Sequence, residues 1–352
     1  MNFLDGHLFP ENQQPLIITA APYAPGWLPS DFPEDIPVTM EAQIQKAVDC
    51  YNAGATVLHL HVREPDGKGS KRLSRFNELI AGVRAAVPDM VIQVGGSISF
   101  APEGDGEAAK WLSDDTRHML ADLDPVPDQV TVTVNTSQMN VTDHMEDGDV
   151  TGTSRENPAL FDTYKDMVVP AAPLWVEEHV RRLSAKGIQS AFQCYNTNSF
   201  ESVERLIRRG FYKGPLVMNW VAIGGGMDTP NVYSLGNFMR GVPDGAVVTV
   251  ESNVRNVLPV NMIGIAMGLH VRCGTEDVLW NQRRTARQST VRQIEQLVRI
   301  SEEFGRDIAT GRQAREMCRI GVFYDTADQA LAANGFAPNR NGGNQGFLHK
   351  SR

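Results

Sequence analysis

The chain has 352 residues, 41% of them hydrophobic, and can bury a large core as one barrel-sized domain or as two smaller ones. A formal net charge of -9 and a pI near 5.4 exclude nucleic acid and an anionic membrane as main partners and favour a small molecule. The 4 cysteines form no CxxC pair, and we find no signal peptide or long apolar span. We therefore expect a reduced, cytoplasmic protein.

The N-terminal part predicts a strand, a long loop and a helix. After an irregular lead, the apolar run at 16–21 fits a buried strand, and residues 22–37 form a loop stiffened by prolines. Thr39 is suited to cap a helix, and Gly54 lies where a left-handed helix end is expected. That helix leads directly into the next apolar segment, at 57–63.

This second strand, VLHLHVR, carries two histidines. A strand repeats every two residues, so His59 and His61 are predicted to share one face. Neutral imidazole suits Zn²⁺, and two ligands from one strand need only a third protein donor to leave a position open for water or substrate. The alternative is that one or both histidines are core residues satisfied by hydrogen bonds.

Later segments alternate between strand and helix patterns. Further strands are predicted at 90–94, 129–135, 189–195, 216–221, 246–251 and 269–273, and further helices near 76–87, 175–185, 199–209, 233–239, 260–267 and 290–304. Eight strands with this period predict a (β/α)8 TIM barrel over residues 1–318, with a doubly wound open sheet as the alternative. Residues 144–168 indicate an irregular insertion. Residues 319–352 form a C-terminal extension, for which a subunit interface is the predicted location.

Functional groups of such a barrel lie at the C-terminal ends of its strands. Just after the eighth strand, Glu276 could complete a His₂Glu zinc site and leave Asp277 as a base beside Arg272. Glu251, at the end of the seventh strand, is a rival third ligand. Alternatively, the acidic pair caps the next helix and the arginine pairs with it. Spacing alone leaves these alternatives open.

Several short segments resemble the β-keto acid cleavage enzyme family. They are PLIITAA at 15–21, IPVT at 36–39, AGA at 53–55, HLHVRE at 59–64, GGM at 225–227 and GLHVRCGTED at 268–277. The pair HLHxR and GxHxRxGxED, at these two places, is highly specific. The resemblance covers residues 15 to 317.

The resemblance implies a zinc-dependent (β/α)8 barrel that joins a β-keto acid to acetyl-CoA and yields acetoacetate and a new acyl-CoA by a reversed Claisen condensation. It assigns His59, His61 and Glu276 to the metal and Arg272 and Asp277 to a catalytic dyad. Glu251 then takes a neighbouring or structural role, and Arg272 is expected to lower the pKa of Asp277. The resemblance also implies a homotetramer or homodimer.

The chain departs from the family pattern at several substrate-binding positions. Gly26 stands where the member that acts on an amino-bearing substrate has a glutamate for the ammonium group. A substrate-binding serine falls on Gly95, with Ser97 close enough to replace it, and a threonine falls on Thr131 or Thr133. We therefore expect a substrate without the amino group of 3-keto-5-aminohexanoate.

Two other functions fit the same motifs: a zinc-dependent aldolase or hydrolase that needs no acetyl-CoA, and a non-catalytic metal-binding barrel. No dinucleotide or P-loop fingerprint is present, so the residues that hold coenzyme A stay unassigned. The remaining histidines are expected to be solvated, apart from His270, which is expected to be structural. These are His7, His118, His144, His179 and His349.

Overall fold

The structure, a computed structural model, describes residues 6–23, 26–96, 117–165 and 167–340. Its centre is a closed barrel of parallel strands: β1 (Ile18–Ala20), β2 (Val57–Leu60), β3 (Val91–Val94), β4 (Gln129–Thr133), β5 (Gln189–Cys194), β6 (Val217–Ala222), β7 (Val247–Ser252) and β8 (His270–Cys273). Each strand pairs with its neighbours along the chain, and β8 pairs with β1 to close the barrel. The predicted TIM barrel is confirmed, and the open sheet is excluded.

Helices surround the barrel and connect its strands. They are α1 (Met40–Asn52), α2 (Leu73–Ala86), α3 (Asp147–Val150), α4 (Pro158–Thr163), α5 (Pro173–Ala185), α6 (Thr197–Arg208), α7 (Val232–Met239), α8 (Val257–Ala266), α9 (Thr290–Phe304), α10 (Gly311–Met317) and α11 (Ala327–Ala333). Thr39 caps α1 by accepting a hydrogen bond from the Ala42 N–H, as predicted. None of the helices in the described ranges is long and apolar enough to cross a membrane.

The two-residue period of β2 separates two packing layers. Leu58 and Leu60 belong to the large cluster between strands and helices, whereas Val57 packs in the barrel interior. His59 and His61 follow Val57 at the same period and face the same interior. The strand therefore delivers both imidazoles to the axis of the barrel.

Helix α10 closes the bottom of the barrel, and the sequence analysis did not predict it. Ala314 and Cys318 pack against the interior apolar layer that includes Val57. Arg315 binds both carboxylate oxygens of Asp128, at 2.8 and 3.0 Å. This floor leaves the opposite end of the barrel as the open one.

The insertion and the described part of the C-terminal extension both pack against the barrel. The insertion contains α3 and α4 and is flanked by a short antiparallel ribbon that pairs Ser137–Gln138 with Val168–Val169, so this region is more regular than predicted. In the extension, Phe336 stacks on Phe200 of α6, and the Leu216 N–H donates to Asn334 Oδ1 at 2.8 Å. The last residues of the extension, from 341 on, lie outside the described ranges.

Candidate active site

Two imidazoles and one carboxylate meet inside the barrel mouth. His59 Nε2 and His61 Nε2 lie 3.2 Å apart, and each is 3.7 Å from Glu276 Oε1. The potential ligand atoms of all three residues lie within 4.8 Å of one another, and no other such group of three occurs in the described ranges. The two distant motifs therefore converge on one place.

A glycine makes that convergence possible. The loop after β8 turns at Gly274, whose φ of +151° is one that residues with a side chain rarely adopt. A Cβ there would lie 2.3 Å from the Ala21 carbonyl oxygen. The Glu276 N–H donates to the same carbonyl at 3.0 Å, which holds the carboxylate-bearing loop against the end of β1.

A relay of buried glutamine amides sets the orientation of His59. Gln189 donates to the Cys318 carbonyl at 2.8 Å, Gln129 donates to Gln189 at 2.7 Å, and Gln93 donates to Gln129 at 2.8 Å. A backbone carbonyl only accepts hydrogen bonds, so it fixes the direction of the whole relay. Gln93 Oε1 is thereby left facing His59 Nδ1 at 2.9 Å. His59 must then carry its proton on Nδ1, and its Nε2 lone pair points toward His61 and Glu276.

Carboxylates outnumber cationic side chains around these three residues. Arg272 pairs with Glu276 at 2.8 Å, with Asp277 at 2.8 Å and with Glu251 at 3.3 Å, so one guanidinium faces three carboxylates. Buried Glu276 Oε2 has no hydrogen-bond partner among the described residues. Two imidazoles, an under-satisfied carboxylate and a surplus of carboxyl groups fit a bound divalent cation.

Burial and Arg272 act in opposite directions on the carboxylates. Burial disfavours the charge of Glu276, but Arg272 and the two histidines outweigh it and hold the pKa of Glu276 well below its usual range. For Asp277, burial prevails over the contact with Arg272 and raises the pKa to about 7. Arg272 does lower the pKa of Asp277, as expected, but burial outweighs this effect. The reason is that both groups lie in the same desolvated site.

An open cavity of about 850 Å³ lies above the ligand cluster. Its lining includes, from the predicted site, His59, Thr131, Arg272, Glu276 and Asp277. Apolar and aromatic side chains contribute much of the remaining wall: Trp27, Met139, Val141, Met145, Tyr164, Tyr195, Val221 and Ile223. The cavity combines a polar, charged patch with apolar walls, as small-molecule sites commonly do.

The predicted substrate-binding residues are placed differently from one another. Thr131 lines the cavity, and its Oγ1 accepts the Gly96 N–H at 2.6 Å. Thr133 bonds to the Tyr195 hydroxyl at 2.8 Å and is not part of the lining. Gly95 lies against His61, where a Cβ would approach the ring to 1.9 Å, so the absence of a side chain makes room for this ligand. Ser97 lies outside the described residues.

Two histidines expected to be solvated are buried. His118 and His179 have their Nδ1 atoms 3.3 Å apart, and both rings stack on Trp175. Burial lowers the pKa of His179 to about 3. The sequence pattern missed this cluster because its members come from distant segments. His270 is structural, as predicted, since its Nδ1 accepts the Ile17 N–H at 3.1 Å.

Sequence reasoning also missed two arginines that border the site. Arg63 is buried and donates to the Trp27 carbonyl at 2.9 Å, which helps to position the loop after β1. Arg155, from the insertion, lines the cavity and lies over the Trp27 ring at 3.7 Å. The insertion has no periodic pattern that places Arg155, and only the folded chain shows it.

Comparison with known proteins identifies the family. A family model described as beta-keto acid cleavage enzyme matches residues 15–320. The chain belongs to the β-keto acid cleavage enzyme family. The match covers most of the chain and confirms the resemblance seen in the HLHVRE and GLHVRCGTED segments. It also confirms that the chain is an enzyme of this class.

Relatives in this family are named for different substrates. A 3-keto-5-aminohexanoate cleavage enzyme of Acetoanaerobium sticklandii is 27% identical over 87% of this chain and 98% of the relative. The 3,5-dioxohexanoate:acetyl-CoA acetone transferase of Paraburkholderia graminis is 25% identical over 87% of this chain and 96% of the relative. The 3-oxoadipate:acetyl-CoA acetyltransferase of Cupriavidus necator is 25% identical over 86% of this chain and 94% of the relative.

A solved structure shares the fold of this β-keto acid cleavage enzyme. ObcA in a binary complex with oxaloacetate matches with a TM-score of 0.60, over 82% of this chain and 68% of that chain. At 16% sequence identity, the likeness concerns the barrel fold alone.

Proposed function

We propose that this protein is a zinc-dependent β-keto acid:acetyl-CoA acyltransferase that produces acetoacetate and a new acyl-CoA. The observation that carries the proposal is the meeting of His59, His61 and Glu276 beside the Arg272–Asp277 pair at one cavity. The names of the relatives support the same class of reaction, since two of them are acetyl-CoA transferases by name.

His59, His61 and Glu276 would hold the metal, and the relay that orients His59 presents its Nε2 for this purpose. Bound zinc would supply Lewis acidity toward the keto and carboxylate oxygens of the substrate. Asp277 borders the same cavity and is the base for the carbon acid. Arg272 holds both oxygens of Asp277, at 2.8 and 3.0 Å, and so orients the base.

The proposed reaction balances without an oxidant or reductant. Asp277 removes a proton from C2 of the keto acid, C2 bonds to the acetyl carbonyl carbon of acetyl-CoA, and the C–S bond breaks. The released thiolate attacks the original keto carbon, and the bond between that carbon and C2 breaks. Asp277 returns its proton to C2, which leaves acetoacetate and an acyl-CoA.

Thr131 is the proposed contact for a substrate oxygen. Its Oγ1 already accepts a backbone N–H, so its own O–H is free to donate into the cavity. Thr133 and Gly95 are assigned to support of the site, because Thr133 is bonded to Tyr195 and Gly95 gives space to His61.

A carbon label tests the reaction. We expect zinc-loaded protein, given a β-keto acid and acetyl-CoA labelled with ¹³C at the acetyl carbonyl, to form acetoacetate labelled at C3 and an unlabelled new acyl-CoA, both read by mass spectrometry. Asp277→Asn should lower kcat by about 10²-fold or more, because the base is lost. Asp328→Asn, an exposed position on α11, is the matched control and should retain the rate.

Two outcomes would refute the proposal. Consumption of the keto acid at an equal rate without acetyl-CoA would indicate a hydrolase or aldolase on the same barrel. Full activity of Asp277→Asn would remove Asp277 from the role of base.

A further inference from the structure

Arg155 is a buried cation in the wall of the cavity. Only 6% of its surface is exposed, and its guanidinium lies between the Trp27 ring at 3.7 Å and the Tyr164 ring at 4.8 Å. It borders the same cavity as His59 and Glu276. Among the residues that the structure describes, it shares no hydrogen-bond or ion-pair partner with Arg272. The cavity thus has a second polar site besides the ligand cluster.

Within the described residues, no carboxylate forms an ion pair or a hydrogen bond with Arg155, although the charge of the nearby buried Asp31 acts on it. Its guanidinium donates to the Gly26 carbonyl at 3.0 Å, to the Tyr164 hydroxyl at 3.2 Å and to Met145 Sδ at 3.4 Å, which are all neutral acceptors. Its Nε has no hydrogen-bond partner in the described part of the chain. The neighbouring carboxylate of Asp31 accepts from Ser154 and Leu28 instead.

A buried guanidinium without a direct ion-pair partner is costly, and a ligand carboxylate would offset that cost. Arg155 is not required merely to place Trp27, because the Trp27 carbonyl is already held by Arg63. Gly26 allows the guanidinium to approach the backbone closely, since a Cβ there would lie 3.1 Å from Arg155 Nη2. A bound carboxylate would supply a direct ion-pair partner with the planar acceptor geometry that a guanidinium prefers.

We propose that Arg155 binds a carboxylate at the far end of the substrate, so that the enzyme selects a dicarboxylic β-keto acid. This inference rests on the proposed function and specifies its substrate class. The 1-carboxylate and keto group belong to the ligand cluster, and the apolar wall, which includes Val141 and Ile223, accommodates the methylenes between the two ends. A coenzyme A phosphate could supply the same negative charge, and the experiment separates the two sources.

The first measurement compares acids of equal chain length. Zinc-loaded protein and acetyl-CoA are combined with 3-oxohexanedioate, 3-oxohexanoate or 3-keto-5-aminohexanoate. We expect kcat/KM for the dicarboxylate to exceed that for the neutral acid by about 10- to 100-fold, the value of a charge-assisted hydrogen bond. Equal values would overturn the inference and leave the proposed function standing. Absence of product from every acid would refute the proposed function itself.

Arg155→Met should reduce the ratio of kcat/KM for the dicarboxylate to kcat/KM for the neutral acid to about 1, whereas Arg155→Lys should retain part of this preference. Arg181→Gln, on the exposed face of α5, is the matched control and should keep the full ratio. If Arg155→Met does not fold, Gly26→Glu gives the second test, because it places a carboxylate beside Nη2 and should also lower the ratio. A raised KM for acetyl-CoA with an unchanged ratio would assign Arg155 to coenzyme A and overturn the inference.

A binding readout is independent of turnover. Hexanedioate should raise the Tm of the zinc-loaded protein more than hexanoate does at the same concentration, and Arg155→Met should remove the difference. Equal Tm shifts for the two acids in the unmodified protein would contradict the proposed carboxylate site.

Discussion

The direction of the His59 ring depends on an amide relay that starts at a backbone carbonyl on the far side of the barrel. Gln93 makes the last contact, through Oε1 to His59 Nδ1 at 2.9 Å. His61 has no equivalent support, since its Nδ1 lacks a partner in the described part of the structure. His59 is thus the more preorganised of the two proposed ligands, and we propose Gln93 as its positioning residue.

Gln93→Leu should weaken zinc binding by about 10- to 100-fold, because His59 loses the acceptor that fixes its tautomer and ring orientation. The measurement is the zinc dissociation constant, by competition with a chelating dye, alongside the free energy of unfolding of the metal-free protein. The matched control is Gln45→Leu on the exposed side of α1, which should bind zinc normally. Zinc affinity of Gln93→Leu within twofold of the unmodified protein would rule out the positioning role.

At the level of elements, the barrel owes its closed floor to α10. Asp128, just before β4, accepts from Arg315 of α10, from Arg84 of α2 and from the Ile92 N–H of β3. The same region holds the start of the glutamine relay at the Cys318 carbonyl. The floor therefore supports both the fold and the orientation of His59 above it.

Arg315→Met should lower the free energy of unfolding by about 1 to 2 kcal/mol, because it removes two charge-assisted hydrogen bonds while Arg84 still pairs with Asp128. Urea unfolding monitored by far-UV circular dichroism measures this change. Arg181→Met is the exposed control and should change stability by less than about 0.5 kcal/mol. Equal effects of the two substitutions would show that the floor contact adds no stability.

For the whole molecule, the burial of neutral histidines links stability to pH. Burial lowers the pKa of His179 to about 3, with a contribution from His118, and burial together with Arg306 lowers that of His270 to about 3. The folded chain therefore keeps both rings neutral at pH values where the unfolded chain binds protons. The stability from each ring is complete above the unfolded pKa of about 6.5 and is lost as the pH falls from 6.5 toward 3.

We expect the free energy of unfolding to decrease by about 1.4 kcal/mol per pH unit for each of these rings between pH 6.5 and 4. His270→Gln should reduce the overall slope by that amount, because one proton-binding group is removed from the unfolded chain. Denaturant titrations from pH 7.5 to 5 give both slopes, and their difference cancels the contributions of other groups. An identical slope for the variant would show that His270 is not held neutral by the fold.

The pattern of the chain determined the barrel and the core of its site. Period-two alternation in VLHLHVR places His59 and His61 on one face, because strand geometry is local. All eight strands were predicted from short local segments rich in apolar residues, which need no distant information. The family motifs then selected Glu276 over Glu251 as the proposed ligand; Glu276 Oε1 lies 3.7 Å from both imidazoles, while Glu251 pairs with Arg272.

Only the tertiary structure decided features that depend on contacts between distant segments. The approach of Arg155 to Gly26 joins residues 129 positions apart, and the relay from Gln93 ends at Cys318. The net pKa shift of Asp277 likewise depends on how deeply the fold buries the Arg272 pair. Sequence periodicity records which face of an element is buried, whereas hydrogen-bond direction, desolvation and charge balance arise only once separate elements meet.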